Sequence, residues 1–532
     1  MDEATGKTKS DKILKRTHAW LFYLAVGGSC AIAAFCLLNM LFMNPLAYRN
    51  HTFSYFLRWV VPYVALFGVT AWIVVRVILW GDKFDTRTKI IACVVGIGLL
   101  VTLQMYVVVV EYITIHDWDV GMIAEVVQDP TAGDGRYFSY FQNNAFIGIM
   151  FRIIWETLKA FGATNYWIAM SIVNTVFVDV ALIFAVLIAR EIFGGRAAVI
   201  TFVLSVMLIG FSPWLAVPYS DTISMPFVTA TVWCFLRLLR QRTEYARIKW
   251  IFITALVFSA GYLLKPLIVV VGVAFLFVGA LHLLKNPEKF GRGILGAMCG
   301  GCAILAICSL FSLFLRVQNI IPYKTGIEAP LEYTFTIGLA KNNHDAFAHI
   351  VSYDAPTAEK RAAYRKFISQ RLKEYGVGGY IGLLFWKLRD VSAEGYFGYW
   401  GDIQFDGQYF KALCGIWIVV FIGFFGAFAC ALRSGNAPPK KRGFEFLADD
   451  DEATPTRRFE FSAGGNGATT SNRGFDKRLF VCLVPIALLI MLLFVEGRSR
   501  YLISYLPIFC MISAWGYMRV REWALRLRGK GR

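Results

Sequence analysis

The sequence predicts an all-α polytopic membrane protein of about 12 transmembrane helices, with two soluble loops on its outer face. Three observations carry that prediction. Of 532 residues, 57% are hydrophobic and only 17% are charged, at a mean hydropathy of +0.55, whereas a soluble chain is about a quarter charged. The apolar residues lie in runs of roughly 20, long enough to cross a bilayer core, and lack the polar positions of a soluble amphipathic helix. Lys and Arg crowd into alternate connections between those runs, the bias that orients membrane proteins.

Taken in order, the spans fall near 19–43, 56–80, 90–112, 166–190, 197–215, 222–240, 249–264, 267–284, 292–316, 410–432, 479–495 and 501–519. The first follows a basic head (Lys7, Lys9, Lys12, Lys15, Arg16) and has no small-residue cleavage site, so it reads as a retained anchor and not a signal peptide. With the N-terminus inside, the inner connections carry Lys83, Arg87 and Lys89; Arg190 and Arg196; Arg237, Arg240, Arg242, Arg247 and Lys249; and Lys285 and Arg292. The segment 433–478 and the tail from Arg519 are also inner and basic. The short outer connections hold only Arg49, Lys265, Arg498 and Arg500. Both termini are therefore expected in the cytoplasm of a multi-pass cell-membrane protein. Residues 144–161 are apolar enough to tempt an extra span. Arg152, Glu156 and Lys159 form a charged stripe at i, i+4 and i+7, which predicts an amphipathic helix on the outer surface.

These elements divide the chain. Residues 1–89 are a tail and two extra spans, and 90–316 a core containing a first outer loop, 113–165. A large outer loop covers 317–409, with a polar helix at 356–374 and an amphipathic, membrane-touching one at 379–390. A span at 410–432 and an inner linker at 433–478 come next. The linker is rich in Gly, Ser, Thr, Asn and charge and has little to bury. Residues 479–532 hold the last two spans and a basic tail. No internal repeat relates the halves. The net charge of +18 is accounted for by the inner loops and argues against a nucleic-acid partner. All eleven cysteines lie in apolar runs, which implies small buried hydrophobes and neither a disulfide framework nor a metal-ligand spacing.

Chemistry is expected where polar residues gather at one membrane face. Four groups share the outer face. His116-Asp117-Trp118-Asp119 follows the third span; its carboxylates suit a general base or ligands for a hard divalent cation, and equally a solvated loop. Pro218-Tyr219-Ser220-Asp221 ends the fifth span, where an ordinary capped turn is the alternative. Lys265-Pro266 sits in a tight hairpin, as a phosphate anchor or a snorkelling lysine. Glu496-Gly497-Arg498-Ser499-Arg500-Tyr501 joins the last two spans, and its arginines match phosphate oxygens. Tyr137, Tyr140, Asn143, Asn144, His344, His349, Lys387, Arg389 and Glu394 are further outer-face candidates, and Asn174 and Asp179 lie inside a span. A carboxylate base beside cations suits deprotonation of an acceptor hydroxyl while a phosphate leaves.

These motifs, in this order and on this side, resemble those of the GT-C superfamily of membrane glycosyltransferases. They are Trp118-Asp119-Val120-Gly121, Tyr137-Phe138-Ser139-Tyr140-Phe141-Gln142-Asn143-Asn144, Pro218-Tyr219-Ser220-Asp221 and Glu496-Gly497-Arg498-Ser499-Arg500-Tyr501. The resemblance covers roughly 90–320 well and 380–520 loosely. It implies a GT-C-like fold and an inverting transfer of sugar from a polyprenyl-phosphate carrier to a glycan, lipid or protein acceptor in the cell envelope. Asp119 would be the base, Asp117 and Asp221 would position the acceptor or a metal, and Arg498, Arg500 and Lys265 would hold the donor phosphate. Tyr137, Tyr140, Asn143, Asn144, Tyr219 and Lys387 would line the substrate site. It leaves a divalent metal (Mg or Mn) open, since some members use one and others do not. The rival readings are a transporter or flippase for a lipid-linked or sugar substrate, against which the lack of repeats and the one-sided polar groups count, and an inactive scaffold binding a partner through its large loop.

Overall fold

The computed structural model of the chain describes residues 2–42, 61–110, 118–131, 136–286, 290–340, 350–393, 397, 407–435 and 476–529. His116, Asp117, His344, His349, Glu394 and most of the 433–478 linker lie outside them. Among the described residues every regular element is helical.

The chain opens with α1 (Asp2–Phe42), α2 (Val61–Trp80) and α3 (Thr86–Val110), followed by α4 (Trp118–Gln128), α5 (Arg136–Tyr140) and α6 (Gln142–Ala160). Next come α7 (Tyr166–Phe193), α8 (Gly195–Ser205), the short α9 (Ser220–Ile223), α10 (Met225–Leu239), α11 (Glu244–Leu264), α12 (Val269–Lys285) and α13 (Phe290–Val317). The last part holds α14 (Leu331–Gly338), α15 (Thr357–Ala393), α16 (Gly407–Gly435), α17 (Lys477–Phe494) and α18 (Leu506–Gly529).

Eleven described helices are long and apolar enough to cross a membrane, and with the shorter Gly195–Gly210 they make up the predicted dozen. That shorter span departs from its expected 197–215. After α8 the chain widens into a π-turn at Val206–Gly210, and Ser212-Pro213 starts a separate 3-10 turn. Pro213 has no N–H to continue a helix, and the Ser212 side chain accepts from Trp214 N instead. The 144–161 segment is the amphipathic helix expected. Helix α6 buries Ile147, Ile149, Phe151 and Trp155, while Glu156 pairs with Arg152 at 3.0 Å and Lys159 at 3.4 Å. Arg152 also donates to the Val127 and Gln128 carbonyls at the end of α4, a favourable place for a cation. The polar and amphipathic helices expected in the large loop are the two halves of α15, broken at Gly376 (φ 55°), a backbone that favours glycine.

The last span is clamped to α16. Trp417, Phe421 and Phe424 of α16 pack against Phe509, and Tyr517 donates to the Val419 carbonyl at 2.5 Å. A Cβ on Gly516 would collide with the Gly423 carbonyl, so the two backbones touch as small residues allow in membrane helix pairs. Gly516→Leu must separate them. The expected result is a lowered thermal midpoint in detergent, since overpacking costs roughly 1–3 kcal/mol or more. Gly279→Leu, with open space around it, is expected to leave the midpoint unchanged.

Candidate functional site

The site is assembled at the end of the bundle where α3, α11 and α17 finish and α7, α10 and α18 begin. Its first support is Asn174, deep in α7. Its amide donates to the carbonyls of Trp214 (2.8 Å), Leu215 (3.0 Å) and Val217 (3.2 Å), and Ser171 reaches Ala216 (3.2 Å). One polar side chain thus ties down the 3-10 turn that leads to Tyr219. Asn174 is a structural clamp for that turn.

Tyr219 is extended (φ −145°, ψ 169°), and its hydroxyl donates to Asp119 Oδ2 at 2.8 Å. Tyr137, from α5, donates to Asp119 Oδ1 at 2.8 Å. Asn144 Nδ2 donates to the Tyr137 hydroxyl at 2.6 Å, and Asn143 Nδ2 to Asn144 Oδ1 at 3.1 Å. Because Tyr137 accepts from Asn144, its own proton is directed to Asp119. Burial, and then the charge of Asp119, hold both phenols well above the usual tyrosine range, so they stay donors. Asp119 itself stands in the first turn of α4 and is half-buried. Residues 119, 137, 144 and 219, predicted from three separate motifs, therefore share one hydrogen-bonded group.

A charged group adjoins it. Asp221, 1% exposed, accepts from Lys265 through Oδ1, while Oδ2 is buried without a partner. Lys265 also stands 4.8 Å over the Tyr501 ring. Burial and Arg500 push Lys265 well below the usual lysine range, and Glu496 opposes them. The Tyr501 hydroxyl donates to Glu496, whose other oxygen meets Arg498 at 2.7 Å. Arg500 lies 5.3 Å from the Tyr501 ring and interacts electrostatically with Tyr219, Glu496 and Asp119. Ser504 donates to the Asp221 carbonyl at 2.7 Å, and Tyr505 to that of Leu267 at 2.7 Å, locking this turn to the Lys265 hairpin.

Two predicted residues stand elsewhere. Tyr140 bonds Tyr364 at 2.8 Å among Tyr333 and Tyr353, with Lys360 4.5 Å over its ring; it joins α5 to the large loop and does not reach Asp119. Lys387 is buried and spends its protons on the Leu493 (3.0 Å) and Val495 (2.5 Å) carbonyls ending α17. Burial pushes it down to about 8, against Glu496. It holds the Glu496 turn from below and is not presented to a ligand. Glu496 has no role assigned by its motif, yet it organises Arg498 and Tyr501. The signal is a carboxylate two residues before an arginine in a loop otherwise rich in cations.

The described carboxylates of this site fit a resident divalent metal poorly. Both oxygens of Asp119 accept from phenols, Asp221 is bound to Lys265, and no three His, Cys, Asp or Glu side chains cluster among the described residues.

A family model described as a conserved hypothetical integral membrane protein matches residues 10–412. No curated protein matches the chain. Among solved structures the chain is similar to the crystal structure of ArnT from Cupriavidus metallidurans bound to undecaprenyl phosphate. The identity is 12% and the TM-score 0.34, over 80% of this chain and 77% of that one. The apo crystal structure of the same ArnT gives 13% and 0.31, over 81% and 78%. At these scores the likeness is distant, and the chemistry of the site is read from its own side chains.

Proposed function

The chain belongs to the conserved hypothetical integral membrane protein family, and from that premise we propose that it is an inverting GT-C-type glycosyltransferase. It moves a sugar from a polyprenyl-phosphate donor to an acceptor hydroxyl at the extracytoplasmic end of its bundle. The observation that carries the reading is Asp119, oriented through both oxygens by Tyr137 and Tyr219, within electrostatic reach of Arg500.

The orientation is supported by the opposite end of the bundle, where Arg190, Arg196, Arg237, Arg240, Arg242, Arg247 and Lys249 gather and Arg240 pairs with Glu191 at 3.0 Å. A site away from the cytoplasm has no nucleotide sugars, so a lipid phosphate is the natural carrier. In the reaction, Asp119 takes the acceptor proton, using a lone pair that the phenols leave free. The acceptor oxygen bonds the anomeric carbon as the bond to the phosphate oxygen breaks, and the electron pair leaves on the phosphate. Arg500, with Arg498 beside it, stabilises that charge. One displacement inverts the anomeric carbon. Lys265, neutralised by Asp221, supports the arginine turn through Tyr501 and is not a free cation.

Tyr219→Phe removes a hydrogen bond to a charged group, about 1.5–3 kcal/mol. It is expected to slow transfer by about 10- to 100-fold, measured with polyprenyl-phosphate-linked sugars in proteoliposomes. The reading as a whole is tested by mass analysis of envelope glycans from cells with the chain, without it, and with Asp119→Asn. One sugar should be missing from the last two, and an unchanged glycan profile in all three would remove the proposal.

A further inference from the structure

Helix α15 changes character at Gly376. The half before it carries Glu359, Lys360, Arg361, Arg365, Lys366, Arg371, Lys373 and Glu374; residues 377–386 (VGGYIGLLFW) carry no charge. Val377, Ile381 and Phe385 recur at i, i+4 and i+8 on one face and are 80%, 48% and 57% exposed. The face bearing Leu383 and Lys387 is buried, and Leu388 and Val391 are buried further along the helix. An apolar stripe of this kind on a soluble loop would be costly to leave in water.

The geometry points to one occupant: this stripe lies in the plane of the bilayer, as an interfacial anchor for the large loop. Ten residues span only about 15 Å as a helix, half of what a crossing needs. Both ends are also held at one level. Tyr375 donates to the Leu339 carbonyl at 2.9 Å, beside Gly338, which packs on the Phe494 backbone at the end of α17. Lys387 donates to Leu493 and Val495 at that same end. The stripe therefore runs across the rim of the bundle. It faces the membrane and not the solvent, because of how it meets α1. Asn39 binds the Arg389 carbonyl (2.7 Å) and Ser392 (3.0 Å), while Phe385 points back to Phe35, with ring centres 5.9 Å apart. Phe35 is seven residues before the end of the span at Phe42, about 10 Å along the axis and inside the rim. Exposed Leu24, Leu38 and Phe42 continue the apolar surface of α1 beside it, so the stripe extends a surface that already faces lipid. Half-buried Tyr380 and Trp386 flank it, the residue types that favour the headgroup level. Since Lys387 on the opposite face holds the Glu496 turn, the anchor and the site share one helix. The inference stands independently of the transfer chemistry.

The test uses the unaltered full chain in phosphatidylcholine nanodiscs containing a lipid with a photoreactive acyl chain. Irradiation and peptide mapping should place lipid adducts within 377–386, and none in 357–375. Labelling confined to the spanning helices would overturn the proposal. A second measurement places nitroxides at Val377→Cys, Ile381→Cys and, as a control, Ser369→Cys, with exposed Cys93, Cys299 and Cys302 replaced by Ala. The ratio of oxygen to nickel-chelate accessibility is expected to be several-fold higher at 377 and 381 than at 369, and alike between the first two. Equal ratios at all three positions would exclude a bilayer-embedded face.

Discussion

Asp119→Asn is expected to abolish transfer while the protein still inserts, folds and binds its donor. The substitution keeps the shape of the side chain. Its amide oxygen can accept from Tyr137, whose proton Asn144 continues to direct. Its amide nitrogen can donate to the Tyr219 oxygen, which need only turn its own proton away. The hydrogen-bonded group survives with one bond reversed, so the structural cost is small. The chemical cost is not, because an amide cannot take the proton of an acceptor hydroxyl. Loss of a positioned general base is worth about 100- to 10,000-fold, on top of any loss of the alignment that two fixed phenols provide. The measurements are initial rates in proteoliposomes with a polyprenyl-phosphate-linked sugar, and the thermal midpoint of the same preparation in detergent. A rate near that of the unaltered chain would sink the assignment of Asp119, whatever the fate of the fold.

How far the site could be read beforehand depended on whether the determining interaction was periodic or distant. The spans were legible because crossing a bilayer demands a run of apolar residues, and the grouping of the polar motifs because cations crowd into alternate connections. That sufficed to place Asp119, Tyr219, Asp221, Lys265 and Arg500 at a common end, as found. The fifth span was overextended because Ser212-Pro213 interrupts a run that hydropathy reads as continuous. Which of the gathered side chains touch was not legible. Tyr137 and Tyr140 are one turn apart on α5, yet one meets Asp119 and the other Tyr364, 224 positions away. Lys387 resembled a ligand-binding cation because the helix end it caps lies 106 residues further on. The task of Asn174 was hidden because its carbonyl partners begin 40 residues later. Asp117 lies outside the described residues.

The Asp221–Lys265 pair is where activity and stability are expected to separate. Both groups are buried, and each is the reason the other can be. Asp221→Ala leaves Lys265 buried without its carboxylate, where burial and Arg500 already push it well below the usual lysine range. Breaking a buried pair from one side costs about 3–5 kcal/mol, a large share of the stability of most folds. A sharp fall in the thermal midpoint is expected. Removing both charges, as Asp221→Leu with Lys265→Met, takes away the unpaired ion as well as the pair, and such replacements are often neutral or stabilising. The double variant is therefore expected to recover the midpoint lost by the single one. It also decides what Lys265 does. A lysine neutralised by Asp221 contributes little to a phosphate, so the recovered protein should keep its KM for the donor. A lysine that grips the phosphate would give a folded double variant with donor KM raised by about tenfold or more, the worth of roughly 1.4 kcal/mol. If the double variant stayed as unstable as Asp221→Ala, the fault would lie in the shape of the Asp221 site, where Ser504 holds the backbone, and the charge pair would lose its claim to hold this end of the bundle together.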